Sequence, residues 1–135
     1  MGSRKRNTAN KIKEQKKNIV SASLNNCPTS PRKMRLVADQ IRGKKVSNAL
    51  SILKFSDKHA SNRLEKLLLS AISNWQQKNP DTDIENEDVV LSEIRVDSAG
   101  MLKRLRPAPQ GRAHRIRKRS NHVTMILDNL KKINN

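Results

Sequence analysis

The sequence predicts an α+β chain: one short strand, three helices in succession, then two strands joined by a long basic ribbon. Three observations carry this. Between Pro31 and Lys78 apolar residues recur at three- and four-residue spacing, as on the buried stripe of a helix. In three short stretches, around Val20, Val90 and Val123, they alternate with polar residues, as in strands with one buried face. Between the last two of these stretches, Ser98–Asn121 holds eight Lys or Arg and no acid.

Composition sets the frame for these elements. With 135 residues the chain suits one domain with a modest core. Its 29 Lys and Arg against 12 Asp and Glu give a net charge of +17. Such a charge repels itself and calls for a polyanion, with nucleic acid ahead of a membrane surface. No apolar run approaches spanning length, and the basic segments lack the aromatic anchors of an interfacial helix. The N-terminus has no apolar stretch after its charges and is not read as a secretory signal. Arg6 stands where a myristoylation motif after Met1-Gly2 requires Ser or Thr. A single cysteine, Cys27, allows no internal disulfide and no cysteine-built metal cage, and it fits a reducing cytosol as a small half-buried side chain. Phe55 and Trp75 are the only aromatics, too few for a base-stacking platform, so recognition through phosphates, riboses and shape is expected.

Taken in order, residues 1–17 carry seven cations against Glu14 and are expected to be a disordered basic arm in water. Val20, Ala22 and Leu24 alternate as a short strand, and Asn25-Asn26-Cys27-Pro28 is expected to turn the chain. Ser30-Pro31 starts the first helix, with a capping hydroxyl and a proline at the first helical position. Met34, Val37, Ala38 and Ile41 form its apolar stripe, and Gly43 stops it. Arg32, Lys33, Arg35 and Arg42 fall largely off that stripe. A short second helix follows, with Ser47 as its expected cap and Ala49, Leu50 and Leu53 inward. Asp57 is the expected cap of the longest helix, which runs to about Lys78 before Asn79-Pro80. Its buried face comprises Ala60, Leu64, Leu67, Leu68, Ala71, Ile72 and Trp75. From Asp81 to Asp97 the charge inverts; these acids match no EF-hand loop and read as a solvated loop leading into a strand over Val89–Val96. Val90, Ile94 and Val96 are expected on one side of that strand. In a last strand, His122–Leu127, Val123, Met125 and Leu127 share a face.

The segment between those two strands is the most informative. Pro107-Ala108-Pro109-Gln110-Gly111 sits near its middle as turn material, so the simplest structure is a ribbon whose strands run outward, turn and return. Ten residues per arm reach on the order of 30 Å. Met101, Leu102, Leu105 and Ile116 are too few to give the ribbon a core, so its order must come from a partner. A flexible loop that binds anions unselectively is the plainer reading of such composition; the alternation in the arms and the flanking strands favour the ribbon.

Several stretches resemble the uL22 family of large-subunit ribosomal proteins. Ser30-Pro31-Arg32-Lys33-Met34-Arg35-Leu36-Val37-Ala38-Asp39-Gln40-Ile41-Arg42-Gly43-Lys44 is similar to its first-helix signature, and Lys66–Asn74 to the middle of its long helix. Glu93–Asp97, Gly111-Arg112-Ala113 and Arg117–Thr124 resemble its hairpin and final strand, and the likeness runs in order from about Ala22 to Leu127. The resemblance implies three helices packed on a small three-stranded antiparallel sheet, with a long protruding basic β-hairpin. It implies a single domain over 18–130 that includes the hairpin 98–121, with a short tail at 131–135. The function implied is that of a cytoplasmic, non-enzymatic structural constituent of the large ribosomal subunit. Such a protein binds 23S-type rRNA and supports assembly, and its hairpin lines the nascent-peptide exit tunnel near the constriction. The partners implied are large-subunit rRNA, neighbouring proteins including ribosomal protein L4 (uL4) at the constriction, and the nascent peptide. No cofactor, metal, membrane or homo-oligomer is expected.

The expected rRNA-binding set comprises Arg32, Lys33, Arg35, Arg42, Lys44 and Lys45 on and after the first helix, and Lys103, Arg104, Arg106, Arg112, Arg115, Arg117, Lys118, Arg119 and His122 on the hairpin and last strand. The tunnel-lining tip is expected within Met101, Leu102, Lys103, Arg104, Leu105, Arg106, Pro107, Ala108, Pro109, Gln110 and Gly111. Two departures stand out. Ala108-Pro109-Gln110 lacks the basic residues that many relatives carry before Gly111, and Asp97-Ser98-Ala99-Gly100 replaces an Asp-Glu-Gly-Pro run at the hairpin's base.

Other classes fit poorly. His59, His114 and His122 are dispersed and the acids have no evident basic or nucleophilic partner, so no catalytic constellation forms. Gly43-Lys44-Lys45 lacks both the upstream glycine and the following Ser or Thr of a phosphate-binding loop. The first two helices could pass for a helix-turn-helix, but the most basic segment is a ribbon and no dimerisation seam is visible.

Overall fold

Three antiparallel strands in the order β1-β3-β2 organise the computed structural model, which describes residues 3–80 and 88–129. In chain order the elements are α1 (Ser3–Asn18), β1 (Val20–Cys27), α2 (Pro31–Ile41), α3 (Val46–Lys54), α4 (His59–Lys78), β2 (Val89–Pro107) and β3 (Ala113–Asn129). The architecture is α+β, as expected, with α2, α3 and α4 against the sheet.

Period-two alternation builds the covered face of the sheet. Central β3 contributes Val123, Met125 and Leu127; β1 pairs Leu24, Ala22 and Val20 with them, and β2 pairs Val96, Ile94 and Leu91. All of these except the partly buried Leu24 are buried. Helix α4 crosses this face over β1 and β3, α2 lies over β2, and α3 packs on α4. Met34, Val37, Ile41, Leu53, Leu64, Leu68 and Ala71 close the core, with Trp75 buried as expected at its edge.

A one-residue bulge between Leu91 and Glu93 corrects the reading of β2. It inverts the alternation, so Val89 and Leu91 join Ile94 and Val96 in the core while Val90 falls outside that cluster. At the same place the α2–α3 loop covers the strand's edge: the Gly43 amide donates to Leu91 O at 2.9 Å, and the Leu91 amide to Lys44 O at 3.0 Å. Gly43 has φ +72°, which a side chain would strain, and it ends α2 as expected.

The caps differ from the sequence reading. Ser30 and Pro31 do start α2, but through the Ser30 carbonyl, which accepts from the Met34 amide; the hydroxyl makes no capping bond. Helix α3 begins at Val46 after Lys45, so Ser47 lies inside its first turn, where its carbonyl accepts the Ser51 hydroxyl. Helix α4 begins at His59 after Lys58, leaving Asp57 outside. Each misplacement moves a helix start by one or two residues, because core contacts rather than the caps set the register. The expected turn at Asn25–Pro28 also shifts: β1 runs on to Cys27, with Asn26 at φ 52° in a bulge, and Cys27 is fully buried rather than half-buried.

The N-terminal segment, expected to be without regular structure, is a fourth helix, α1. Ser3–Asn18 contains no Gly or Pro and is rich in Lys, Arg, Gln and Glu, all good helix formers. Its residues 3–17 are exposed, and its end is held by Lys78 Nζ, which donates to Lys17 O at 2.9 Å and Ile19 O at 2.6 Å. The acids Asp81, Asp83, Glu85 and Glu87 of the expected loop, and the tail at 131–135, lie outside the described residues.

Candidate nucleic-acid interface

Beyond Asn121, where β1 ends opposite it at Cys27, β2 and β3 continue alone as a two-stranded ribbon. Its seven pairs run from Met101↔Arg119 to Pro107↔Ala113. From Ser98 to Pro107 the ribbon extends about 30 Å at ~3.3 Å per residue. An extra residue on β2 between Ser98 and Met101 bulges the base, within the stretch where the sequence departs from the family pattern. At the tip the Ala108 amide donates to Arg112 O at 2.9 Å, and Gln110 (φ 62°) and Gly111 (φ +69°) are both left-handed.

Directly paired residues share a face, so the register assigns every cation of the ribbon. One face carries Lys103, Arg115, Arg117 and Arg119 beside Met101 and Leu105; the other carries Arg104, Arg106 and Lys118 beside His114, Leu102 and Ile116. Arg112 stands at the tip. Both faces are positive and every residue from Met101 to Pro107 and from Gly111 to Arg119 is exposed, Leu105 by 70%. Lys103 lies directly opposite Arg117, a like-charge pair that opposes the ribbon's own closure. None of these cations takes part in an ion pair among the described residues.

The cations around α2 divide into two groups. Arg35 forks onto one carbonyl of β2, donating from Nε and Nη2 to Val96 O at 3.2 and 2.8 Å. Arg42 donates to Ile94 O at 3.2 Å and pairs with Asp39 at 2.6 Å, and Lys45 pairs with Asp88 at 2.5 Å. Arg35 and Arg42 brace α2 and its C-terminal end to β2 just before the hairpin's root, whereas Lys45, in the α2–α3 loop, pairs at the opposite end of that strand. Arg32, Lys33 and Lys44 are exposed and take no part in those ion pairs. His122 Nδ1 accepts the Asn26 amide at 3.1 Å across the β1 bulge, which fixes the Nε2–H tautomer and leaves that donor for a partner.

Residues that the sequence reading passed over complete this surface. Lys58 and His59 line a groove with Lys33 and Arg117–Arg119. Phe55 is 83% exposed at the end of α3. In the sequence this neighbourhood signals only a helix start, since nothing local to residues 55–59 says which distant element they face. Among the described residues no cluster of His, Cys, Asp and Glu could hold a metal ion, and no helix is long and apolar enough to cross a membrane.

A small α+β body that projects an exposed ribbon, cationic on both faces and without a core of its own, defines the class to which this chain belongs. The chain belongs to the ribosomal protein L22 family: residues 22–128 match the family described as ribosomal protein L22p/L17e. It is 69% identical over 127 residues to the large ribosomal subunit protein uL22 of Christiangramia forsetii, across 94% of each chain. To the uL22 protein of Flavobacterium johnsoniae it is 68% identical over 127 residues, 94% of this chain and 93% of the relative. The Porphyromonas gingivalis protein of the same description is 58% identical over 135 residues, the whole of both chains. The family is structural and non-enzymatic.

Proposed function

We propose that this chain is a cytoplasmic structural constituent of the large ribosomal subunit, and that it binds 23S-type rRNA and supports the subunit's assembly. In this reading its hairpin lines the nascent-peptide exit tunnel near the constriction. The observation that carries it is the exposed ribbon with cations on both faces and no acid between Ser98 and Asn121. Among the described residues a projection of this kind has nothing to pack against, whereas a crevice of folded RNA offers phosphates on both sides of it. The eight hairpin cations contact phosphate and ribose, Arg32, Lys33 and Lys44 add contacts from the body, and His122 donates from Nε2. Arg35, Arg42 and Lys45 add positive charge, the first two while bracing α2 to β2 just before the hairpin's root. The tip from Met101 to Gly111 faces the tunnel, with uL4 as its neighbour and the nascent peptide passing it. Within the tip, the turn Pro107–Gly111 carries no charge and is less positive than the arms behind it.

Charge reversal of Lys103 and Arg104 to Glu tests the reading. The free protein is expected to keep its fold, while affinity for a folded large-subunit rRNA fragment drops at least tenfold at moderate salt and late assembly stalls. Cryo-electron maps of subunits carrying the unaltered chain are expected to place Pro107–Gly111 at the tunnel wall. Unchanged binding and assembly, or a ribbon lying outside the tunnel, would defeat the proposal.

A further inference from the structure

The inward row of β3 ends on an amide. Val123, Met125 and Leu127 alternate into the core, and Asn121 takes the next inward place, fully buried. It stands in the last row in which β3 has a strand on each side, opposite Cys27 of β1 and Ser98 of β2. Its Nδ2 donates to Thr29 O at 2.6 Å, on the connection from β1 to α2. Its Oδ1 is buried and has no hydrogen-bond partner among the described residues. His122, the next residue, accepts from Asn26 on the same stretch of chain.

We infer that Asn121 is a positioning residue for the hairpin: together with Arg35 it ties both legs of the ribbon to α2 and so sets the direction in which the ribbon leaves the body. Thr29 directly precedes Ser30, whose carbonyl starts α2, so the Asn121 bond fastens β3 to the beginning of that helix. Arg35, about one turn further along α2, forks onto Val96 O of β2. Val96 is the outermost buried residue of β2, and Asn121 is the outermost buried residue of β3. Each leg is therefore held to one helix at the place where it leaves the core. Two such ties fix an angle, whereas one tie is a pivot. Beyond them β2 bulges between Ser98 and Met101 and no third strand stiffens the pair, so little else resists bending.

Stability alone does not call for an asparagine here. A buried amide with an unpartnered oxygen is costly, and an apolar side chain would continue the row of Val123, Met125 and Leu127. What the amide supplies is a directional bond, which apolar contact lacks. The benefit of a fixed direction rests on the rRNA reading above, in which a ribbon already aimed loses less freedom on entering its crevice. The direction itself belongs to the free chain and can be measured there.

Nitroxide labels at Gln40→Cys on α2 and Lys118→Cys at the ribbon's base, both exposed positions, report that direction as a distance in pulsed electron paramagnetic resonance of the full chain. Native Cys27, 2% exposed, is too buried to take the label. Asn121→Leu is expected to keep the melting temperature within about 3 °C of the parent. Its distance distribution is expected to widen about twofold. Leu68→Val, which opens a small void in the core beneath α4, is expected to lower the melting temperature and leave the distribution as in the parent. An unchanged distribution in folded Asn121→Leu overturns the inference, and so does equal widening in both variants, which would report general loosening. Should Asn121→Leu fail to fold, the parent alone decides: the Asn121 side-chain amide protons are expected to exchange at least about tenfold slower than those of exposed Asn48. Equal exchange of the two overturns the inference. None of these readouts involves rRNA, so the binding proposal and this one fail separately.

Discussion

Arg35 and Arg42 show how a single side chain's role depends on what lies opposite it. Arg35 sits on the exposed flank of α2 and Arg42 at its C-terminal cap, and the sequence groups both with Arg32 and Lys33 as expected RNA contacts. The fold places β2 carbonyls within reach, and each guanidinium donates to one of them, Arg35 through two N–H groups of its planar fork. A charged donor bond of this type contributes about 1 kcal/mol where water still competes, less than the buried range. Arg35→Ala is therefore expected to lower stability by about that amount in urea unfolding, followed by the fluorescence of buried Trp75. Arg35→Lys is expected to recover only part, since an ammonium cannot fork. A urea midpoint unmoved by Arg35→Ala would assign the residue to RNA alone. His122 follows the same logic: sequence places it on a strand beside the basic segment, and only the β1 bulge reveals that one ring nitrogen is already committed.

At the level of elements, the sequence was informative wherever a local pattern repeats. The stripes of α2 and α4, the proline at the start of α2, Gly43 at its end and the turn at Pro107–Gly111 all follow from residues within one or two turns of each other. What failed was set by small offsets. The bulge after Leu91 shifts the alternation so that Val89 and Leu91, rather than the also buried Val90, join the main core cluster, and nothing in the residues themselves marks which of several strand positions will bulge. Helix α1 forms despite its low apolar content because its Lys, Arg, Gln and Glu residues have high helix propensity. The ribbon is the element whose order should depend most on its partner. Its apolar residues are all exposed and Lys103 opposes Arg117, so the free chain is expected to exchange the amides of Lys103–Ile116 far faster than those of Val123–Leu127. Bound rRNA is expected to slow the ribbon's exchange at least tenfold. Equal protection of both segments in the free chain would show that the ribbon is stable unaided.

For the molecule as a whole, the charge of +17 dominates behaviour away from its partner. Folding brings the cations of the hairpin's root, α2 and the α3–α4 turn closer than they are in an extended chain, so self-repulsion weakens the folded state. Salt screens such exposed charges over about 8–10 Å at physiological strength. Raising potassium chloride from about 20 mM to 300 mM is expected to relieve on the order of 1 kcal/mol and raise the melting temperature by roughly 3–5 °C. A melting temperature that falls over this range would mean that attractive ion pairs, not repulsion, govern the free protein.

The class of fold and the existence of a protruding basic ribbon were readable from residue order, because periodicity, turn chemistry and charge are local and survive without coordinates, and the family was readable from the resemblance of stretches such as Ser30–Lys44. Where the ribbon is anchored was decided only in three dimensions. The pairing of Arg35 and Arg42 with β2, and the meeting of Lys33, Lys58 and Arg117–Arg119 in one groove, join residues tens of positions apart. Such meetings are set by how α2 and α4 pack on the sheet and by β1 ending at Cys27, and distance through space has no signature along the chain.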